Sequence, residues 1–328
     1  MKPFFTIVIP VFNTQEYIAR CLDSCVAQSF KDFEIIIVDD CGNDDSIRIA
    51  WQYAEHDARI HIYKNPENLG LFKCRISGDM QAQGQYIIYL DSDDFLDTGC
   101  LESVHKKILD YYNLTKDYID IVHFDFTFFP NANQSKIPLS SFNECNDLNH
   151  KAKDCVDSYF ISPKKFSWNV WGKAYKTSVI KNVNHFISSY LPYLKKFTSC
   201  EDTLKFFLIT LFSRNNLIIN QSFYNYAFSK KNHEIIMSRI EDSKYIIQVL
   251  NSLDNTPVIH QSIFFQKAKK RIQKQIEKNI AYVTYQAIEK KTLKDYIFFQ
   301  YTLLNIEYRW QNLLKVAIAI LTIGKIKK

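Results

Sequence analysis

Short, continuous apolar runs alternate with stretches of helical spacing through the first 126 residues. Residues 4–11 (FFTIVIPV), 33–40 (FEIIIVDD), 59–65 (RIHIYKN), 85–91 (QYIIYLD) and 118–126 (YIDIVHFDF) read as strands. They are brief, rich in β-branched residues and bounded by polar or turn residues. Between them, NTQEYIARCLDSCVAQ, DDSIRIAWQYAEH, GLFKCRISGDMQAQ and CLESVHKKILDYY carry apolar residues at helical spacing. In the first of these, Ile18, Cys21, Leu22, Cys25 and Val26 share one face, and Asn13 three residues before Glu16 suits a capping box.

Strands without polar alternation are buried on both faces, so this pattern predicts an α/β fold with a mostly parallel sheet flanked by helices. In such sheets ligands bind outside the carboxyl ends of the strands. Polar clusters fall at those ends: Asn13, then Asp39-Asp40, then residues 65–70, then Asp91 to Asp94. Four segments separated in sequence are thereby expected on one rim.

The remainder is less regular. Residues 127–150 read as a loop or short hairpin, and from 151 the pattern turns helical, with residues 168–176 (WNVWGKAYK) and 200–212 (CEDTLKFFLITLF) as the dense stretches. Residues 239–328 are almost wholly helical in pattern. The expected division is a catalytic domain over 1–235, with a nucleotide-binding half to about 126 and an acceptor half over 127–235, followed by a helical, basic region over 236–328.

Charge sharpens that division. Residues 258–328 hold 14 Lys/Arg against 4 Asp/Glu, a net of +10 within a chain of net +6, so the body is near −4. A neutral to acidic body argues against a nucleic-acid binder, and a basic tail invites an anionic membrane surface. The eight cysteines are scattered without a CxxC pair, which argues against a zinc site. The N-terminus lacks a basic n-region and a cleavage site, so it reads as a first strand and the setting as reducing and cytoplasmic.

The densest negative charge lies at residues 90–97 (LDSDDFLD). An EF-hand is excluded, because its sixth position, where the turn requires Gly, is Leu96 and its fifth is Phe95. Two readings stay open here: a solvated turn, or a divalent cation held by one or two carboxylates plus ligand phosphates. GxGxxG and GxxxxGK[ST] are absent, which disfavours a classical dinucleotide fold or a P-loop kinase. Asp44 or Asp45 suits a turn or helix cap.

IVIPVFN, EIIIVDDCGNDDS, NPENLG followed by Arg75, YIIYLDSDD, and Cys200-Glu201-Asp202 occur in this order. Together they resemble glycosyltransferase family 2, inverting enzymes of GT-A fold, over roughly residues 4–230. The nearest likeness is to bacterial transferases that add galactose or N-acetylgalactosamine to lipooligosaccharide or capsule. The resemblance implies that Pro10, Val11 and Asn13 line a nucleotide pocket, that Asp40 pairs with uracil, and that Asn68 and Arg75 lie near the uridine or phosphates. It implies a DxD element in Asp91 and Asp93, with Asp93 the firmer ligand for Mn2+ or Mg2+ and Asp91 and Ser92 also toward the nucleotide. It makes Asp202 the general base, and places Glu201, Trp171 and Lys173 toward donor or acceptor sugar. Cys74-Arg75-Ile76 departs from the family's usual Ala-Arg-Asn. A UDP-sugar donor and an oligosaccharide or lipid-linked glycan acceptor follow as expected partners. His233, after a Lys-Lys pair, is a further candidate for the pyrophosphate.

The apolar stretch at 313–324, flanked by Arg309, Lys325, Lys327 and Lys328, is too short to span a bilayer needing ~20 residues. It reads as an interfacial segment that makes the protein peripheral on the inner membrane face. A core helix or a dimer contact is the alternative, which leaves a homo-oligomer open. Two rival functions remain at this point: a non-catalytic sugar-nucleotide or glycan binding module, and a membrane scaffold acting through its tail.

Overall fold

The computed structural model describes residues 2–129, 137–138, 155–161, 167–227, 235–256 and 264–286, with isolated positions between 295 and 306. The chain divides into two units. The first comprises Met1–Phe197 and Glu201–Lys230, the second Thr198–Cys200 and Lys231–Lys328.

In the first unit the elements alternate as their hydrophobic pattern predicts: β1 (Phe5–Val11), α1 (Ile18–Val26), β2 (Phe33–Asp39), α2 (Ser46–His56), β3 (Ile60–Lys64), α3 (Leu71–Gln81), β4 (Tyr86–Tyr89). Then follow β5 (Phe95–Leu96), α4 (Cys100–Thr115), β6 (Ile121–Phe129), β7 (Ile137–Pro138), β8 (Lys173–Lys176), α5 (Thr177–Tyr190), α6 (Glu201–Leu211) and β9 (Asn216–Ala227). Every residue of β1 and β2 is buried, as continuous apolar runs between two helical layers require. On α1 the buried residues are Ile18, Cys21, Leu22 and Cys25, the face its spacing marked out.

Among the described residues the strands join one sheet in the order β3-β2-β1-β4-β8-β6-β9-β5, with β7 paired to β6. Strands β1, β2, β3 and β4 pair in parallel, from Phe5↔Phe33 to Val11↔Asp39 and from Phe5↔Tyr86 to Val8↔Tyr89. Their carboxyl ends therefore lie at one edge. β8 then enters antiparallel to both β4 and β6, which makes the sheet mixed.

Three local expectations are corrected. Residues 173–176 form β8 rather than helix; KAYK is too short to show a period, and Gly172, at φ +69°, turns the chain just before it. β9 was not expected, because Asn220 and Gln221 interrupt its apolar pattern; the irregularity in its pairing with β6 falls beside them. Asn13 and Glu16 form no capping box. Helix α1 starts at Ile18 without a side-chain cap, and Asn13 Oδ1 instead accepts a hydrogen bond from the Asn43 N–H.

In the second unit, α7 (Ile235–Ser252) packs against α8 (Phe265–Gln286). Lys269 Nζ and Gln266 Nε2 both donate to the Asp254 carboxylate. A cleft of about 360 Å³ is lined by Ile280, Tyr285, Phe298, Phe299 and Ile306, among others. Among the described residues no helix is long and apolar enough to cross a membrane. His233, the stretch 313–324 and its flanking Arg309, Lys325, Lys327 and Lys328 lie outside the described residues.

Helix α3 is held close to the sheet by Gly78, where an added Cβ would meet Val8 Cγ1 at 2.4 Å and Val38 Cγ2 at 3.2 Å. Gly to Ala inside a helix ordinarily stabilises, by about 1 kcal/mol. Here overpacking reverses the sign: Gly78→Ala is expected to destabilise by about 1–3 kcal/mol. Urea unfolding of the two proteins checks this, and an unchanged or raised midpoint would contradict it.

Candidate active site

The rim at the carboxyl ends of the parallel strands gathers the polar segments. Beyond β2, Asp39 Oδ1 accepts the Cys41 N–H, while Asp40 Oδ1 accepts from Asn65 Nδ2 at 2.7 Å and the Leu69 N–H at 2.9 Å. Asp40 Oδ2 accepts the Gly70 N–H at 2.9 Å. Asp40 is thus buried and braces the loop after β3. Asn68, on that loop, accepts from Lys196 Nζ. Pro10 and Val11 are buried at the end of β1. Asn13 is exposed and holds a left-handed backbone at φ 54°. Cys41 (φ 61°) and Cys200 (φ 62°) share that conformation, beside Asp40 and Glu201 respectively. Strain of this kind gathers at functional sites because the surroundings must enforce it.

The loop after β4 is pinned from two sides. Arg20 donates to the Asp93 carbonyl at 2.7 Å from α1, its guanidinium over the Phe95 ring. From β9, the Tyr224 hydroxyl donates to Asp94 Oδ2 and accepts the Asp91 N–H, and the Ala227 N–H donates to Asp94 Oδ1. Asp94 is therefore buried within the scaffold. Burial, with the neighbouring charges of Asp91 and Asp93, pushes its carboxyl up to about 9. Ser92 is buried, whereas Asp91 and Asp93 remain half-buried at the rim.

Arg75 joins the rim to the distant helix α6. Its buried guanidinium donates through Nη2 to Asp91 Oδ1 at 2.7 Å and through Nη1 to Asp202 Oδ1 at 2.5 Å. Both carboxylates stay partly open, at 21% side-chain exposure. Burial lifts the Asp202 carboxyl above its usual range; Arg75 opposes the shift and Asp91 adds to it. Burial, and then the charge of Asp202, raises Glu201 to about 8. The cluster thus places two reachable carboxylates on either side of a cation fixed in the interior. Asp202 is thus a partly open carboxylate whose hold on a proton is strengthened by burial and restrained by Arg75.

One turn behind, the charges repeat with sign reversed. Asp79 on α3 pairs with Lys205 on α6 at 2.7 Å, both fully buried. Tyr89 donates to Asp79 Oδ1 at 2.7 Å, and Asn184 Nδ2 to Asp79 Oδ2 at 3.2 Å.

A family model described as glycosyl transferase family 2 matches residues 6–171, just over half of the chain. The chain belongs to glycosyl transferase family 2. Glycosyltransferase GlyA of Streptococcus pneumoniae is 38% identical over 106 residues, 32% of this chain and 15% of GlyA. The putative glycosyltransferase EpsH of Bacillus subtilis is 27% identical over 277 residues, 80% of this chain and 76% of EpsH. The chain spans 15%, 51% and 54% of the length of the first three curated relatives it matches. S. aureus TarS 1-349, solved in complex with UDP-GlcNAc, aligns with TM-score 0.61 at 18% identity, covering 93% of this chain and 80% of that one. That likeness is one of fold, the mixed α/β arrangement of GT-A glycosyltransferases.

The structure brings three of the expected residues together. Asp91, Arg75 and Asp202 meet directly. Trp171 and Lys173, expected toward donor or acceptor sugar, are both buried. Trp171 is buried and stacks on Tyr224 at 4.6 Å and Tyr226 at 5.4 Å, edge-on to Phe126 at 4.9 Å. Lys173 is fully buried, its Nζ donating to the Asn169 carbonyl at 2.7 Å. Both stand behind the site: Trp171 supports Tyr224, which supports the 91–94 loop. Tyr224, Asp79 and Lys205 were missed. The alternation of SFYNYA was the one signal for the first, and the other two had none beyond a charge inside an apolar helix face.

Burial lowers Lys173 to about 7, with Asp202 pulling the other way. A lysine depressed in the folded state binds fewer protons there than when unfolded, so its contribution to stability rises with pH between about 7 and the ordinary 10.5. The stability gap between wild type and Lys173→Met is therefore expected to widen in favour of wild type from pH 7 to pH 10 in urea titrations. A pH-independent gap would show that Lys173 keeps its ordinary ionisation.

Proposed function

We propose that this protein is an inverting glycosyltransferase that moves a sugar from a UDP-sugar onto a saccharide acceptor in bacterial surface glycan synthesis. The single observation carrying it is the Arg75 bridge, which brings a strand-end carboxylate and a helix carboxylate, 111 residues apart, into one partly open cluster. UDP-galactose is the first donor to test, followed by UDP-N-acetylgalactosamine and UDP-N-acetylglucosamine. The TarS complex with UDP-GlcNAc supports a UDP-sugar for a fold of this kind.

Asp91 and Asp93 fit a hard divalent cation: they are oxygen donors at the rim, while Asp94 is taken up by Tyr224 and Ala227. Among the described residues no group of three or more His, Cys, Asp or Glu side chains could hold a metal alone. Two carboxylates completed by phosphate and water is the arrangement Mg2+ favours. Lewis-acid neutralisation of the departing diphosphate is the chemistry that Mn2+ or Mg2+ supplies when bound. Asn13, Asn68 and the loop braced by Asp40 border the same rim and receive the nucleotide. Asp202 removes the proton from the acceptor hydroxyl as its oxygen attacks the anomeric carbon. The bond to the diphosphate breaks in the same displacement, which inverts the configuration. Glu201, its carboxyl raised by burial and the charge of Asp202, is the proposed partner of the sugar hydroxyls.

Lipooligosaccharide, lipopolysaccharide or capsule is the proposed acceptor class, and the cytoplasmic face of the membrane the proposed place of work. Lys267, Lys270, Arg271, Lys274 and Lys278 give α8 a basic side suited to anionic headgroups.

Thermal-shift titration with UDP is the direct test. Wild type is expected to show a Mn2+-dependent rise in Tm, lost in Asp93→Ala; no response to UDP in folded wild type would overturn the donor site. Asp202→Asn is expected to keep the UDP response while losing on the order of 10²–10⁴ in transfer rate.

A further inference from the structure

Asp79, Tyr89 and Lys205 each stand one structural repeat behind a residue of the site. Asp79 follows Arg75 by four residues on α3, and Lys205 follows Asp202 by three on α6. Tyr89 precedes Asp91 by two residues at the end of β4. All three are fully buried, and their polar atoms close on one another: Lys205 Nζ to Asp79 Oδ2 at 2.7 Å, Tyr89 hydroxyl to Asp79 Oδ1 at 2.7 Å. Lys205 Nζ also lies over the Tyr89 ring, 5.0 Å from its centre. Each of the three elements that supply the site is thus tied to the other two a second time, inside the core.

Stability does not require charges there. Well-packed apolar side chains usually replace a buried ion pair without loss, because desolvation cancels most of the attraction. What the pair adds over an apolar contact is direction and register. Apolar surfaces tolerate sliding, whereas a 2.7 Å charged hydrogen bond does not. A helix rises about 1.5 Å per residue, so even part of a residue's slip along α6 would carry Asp202 off its mark.

We propose that Asp79, Tyr89 and Lys205 are positioning residues that set the depth of α6 against α3 and β4, and thereby where Asp202 meets the acceptor. This rests on the glycosyl-transfer function proposed above. None of the three touches a reacting group; they act through the placement of Asp202.

The test is the variant Asp79→Leu/Tyr89→Phe/Lys205→Met, which removes the network whole and leaves no unpaired charge. Half-buried Asn184, which loses its acceptor, can turn to water. Tm is expected to hold or rise, and UDP affinity to stay within about twofold of wild type, while kcat falls about 10–100-fold, the cost of roughly 1 Å of misplacement. A purely structural role would lower Tm and leave kcat per folded molecule unchanged, and that outcome overturns the assignment. Loss of UDP affinity in step with kcat also overturns it. Should the triple variant fail to fold, Tyr89→Phe alone is expected to lower kcat several-fold at unchanged UDP affinity, and wild-type kcat there would count against the network. Wild type that turns over no UDP-sugar, hydrolysis included, refutes the function instead. The network is then read from the crystal structure of the triple variant. Displacement of the Asp202 carboxylate from Arg75 by about 1 Å or more supports the assignment, and an unmoved pair overturns it.

Discussion

A single buried guanidinium organises this molecule. Arg75 sits inside the first unit with its charge answered by Asp91 and Asp202, and neither carboxylate is close to it in sequence. An uncompensated charge at that depth would cost several kcal/mol, so the end of β4 and the start of α6 cannot part without exposing it or leaving it unpaired. The Asp79–Lys205 pair imposes the same condition one turn deeper, with the signs exchanged. Two helices and a strand are thereby held in one arrangement, and the parallel strands deliver the rest of the rim to it.

The same constraint gives the site its electrostatic character. Asp91 and Asp202 would repel if left facing each other, and Arg75 between them offsets that repulsion. Asp94 takes the opposite course: its oxygens are satisfied by Tyr224 and the Ala227 N–H, and burial raises its carboxyl to about 9. Three aspartates in four residues therefore do different work. One is structural, one is locked to a cation, and one stands at the rim with its backbone carbonyl held by Arg20.

Much of this was legible in the chain. The strands β1 to β4 and helices α1 to α4 follow from runs and spacings a few residues long, and local patterns survive folding when burial agrees with them. The convergence of Asn13, Asp40, residues 65–70 and Asp91 followed from the parallel topology alone. Where local and tertiary demands differed, the prediction failed. KAYK became a strand because β4 and β6 each offered an antiparallel partner. Asn13 left its capping role to accept a hydrogen bond from Asn43, 30 residues away.

The sequence by itself determined the α/β class, the rim, and the carboxylates and polar residues gathered there. Those depend on neighbours along the chain. Only the tertiary structure decided what each side chain meets. Arg75 reaches Asp202 across 127 residues, Lys205 reaches Asp79 across 126, and Tyr224 reaches Asp94 across 130. No periodicity encodes such pairings, because they arise from how whole elements pack. The same packing turned Trp171 and Lys173 inward.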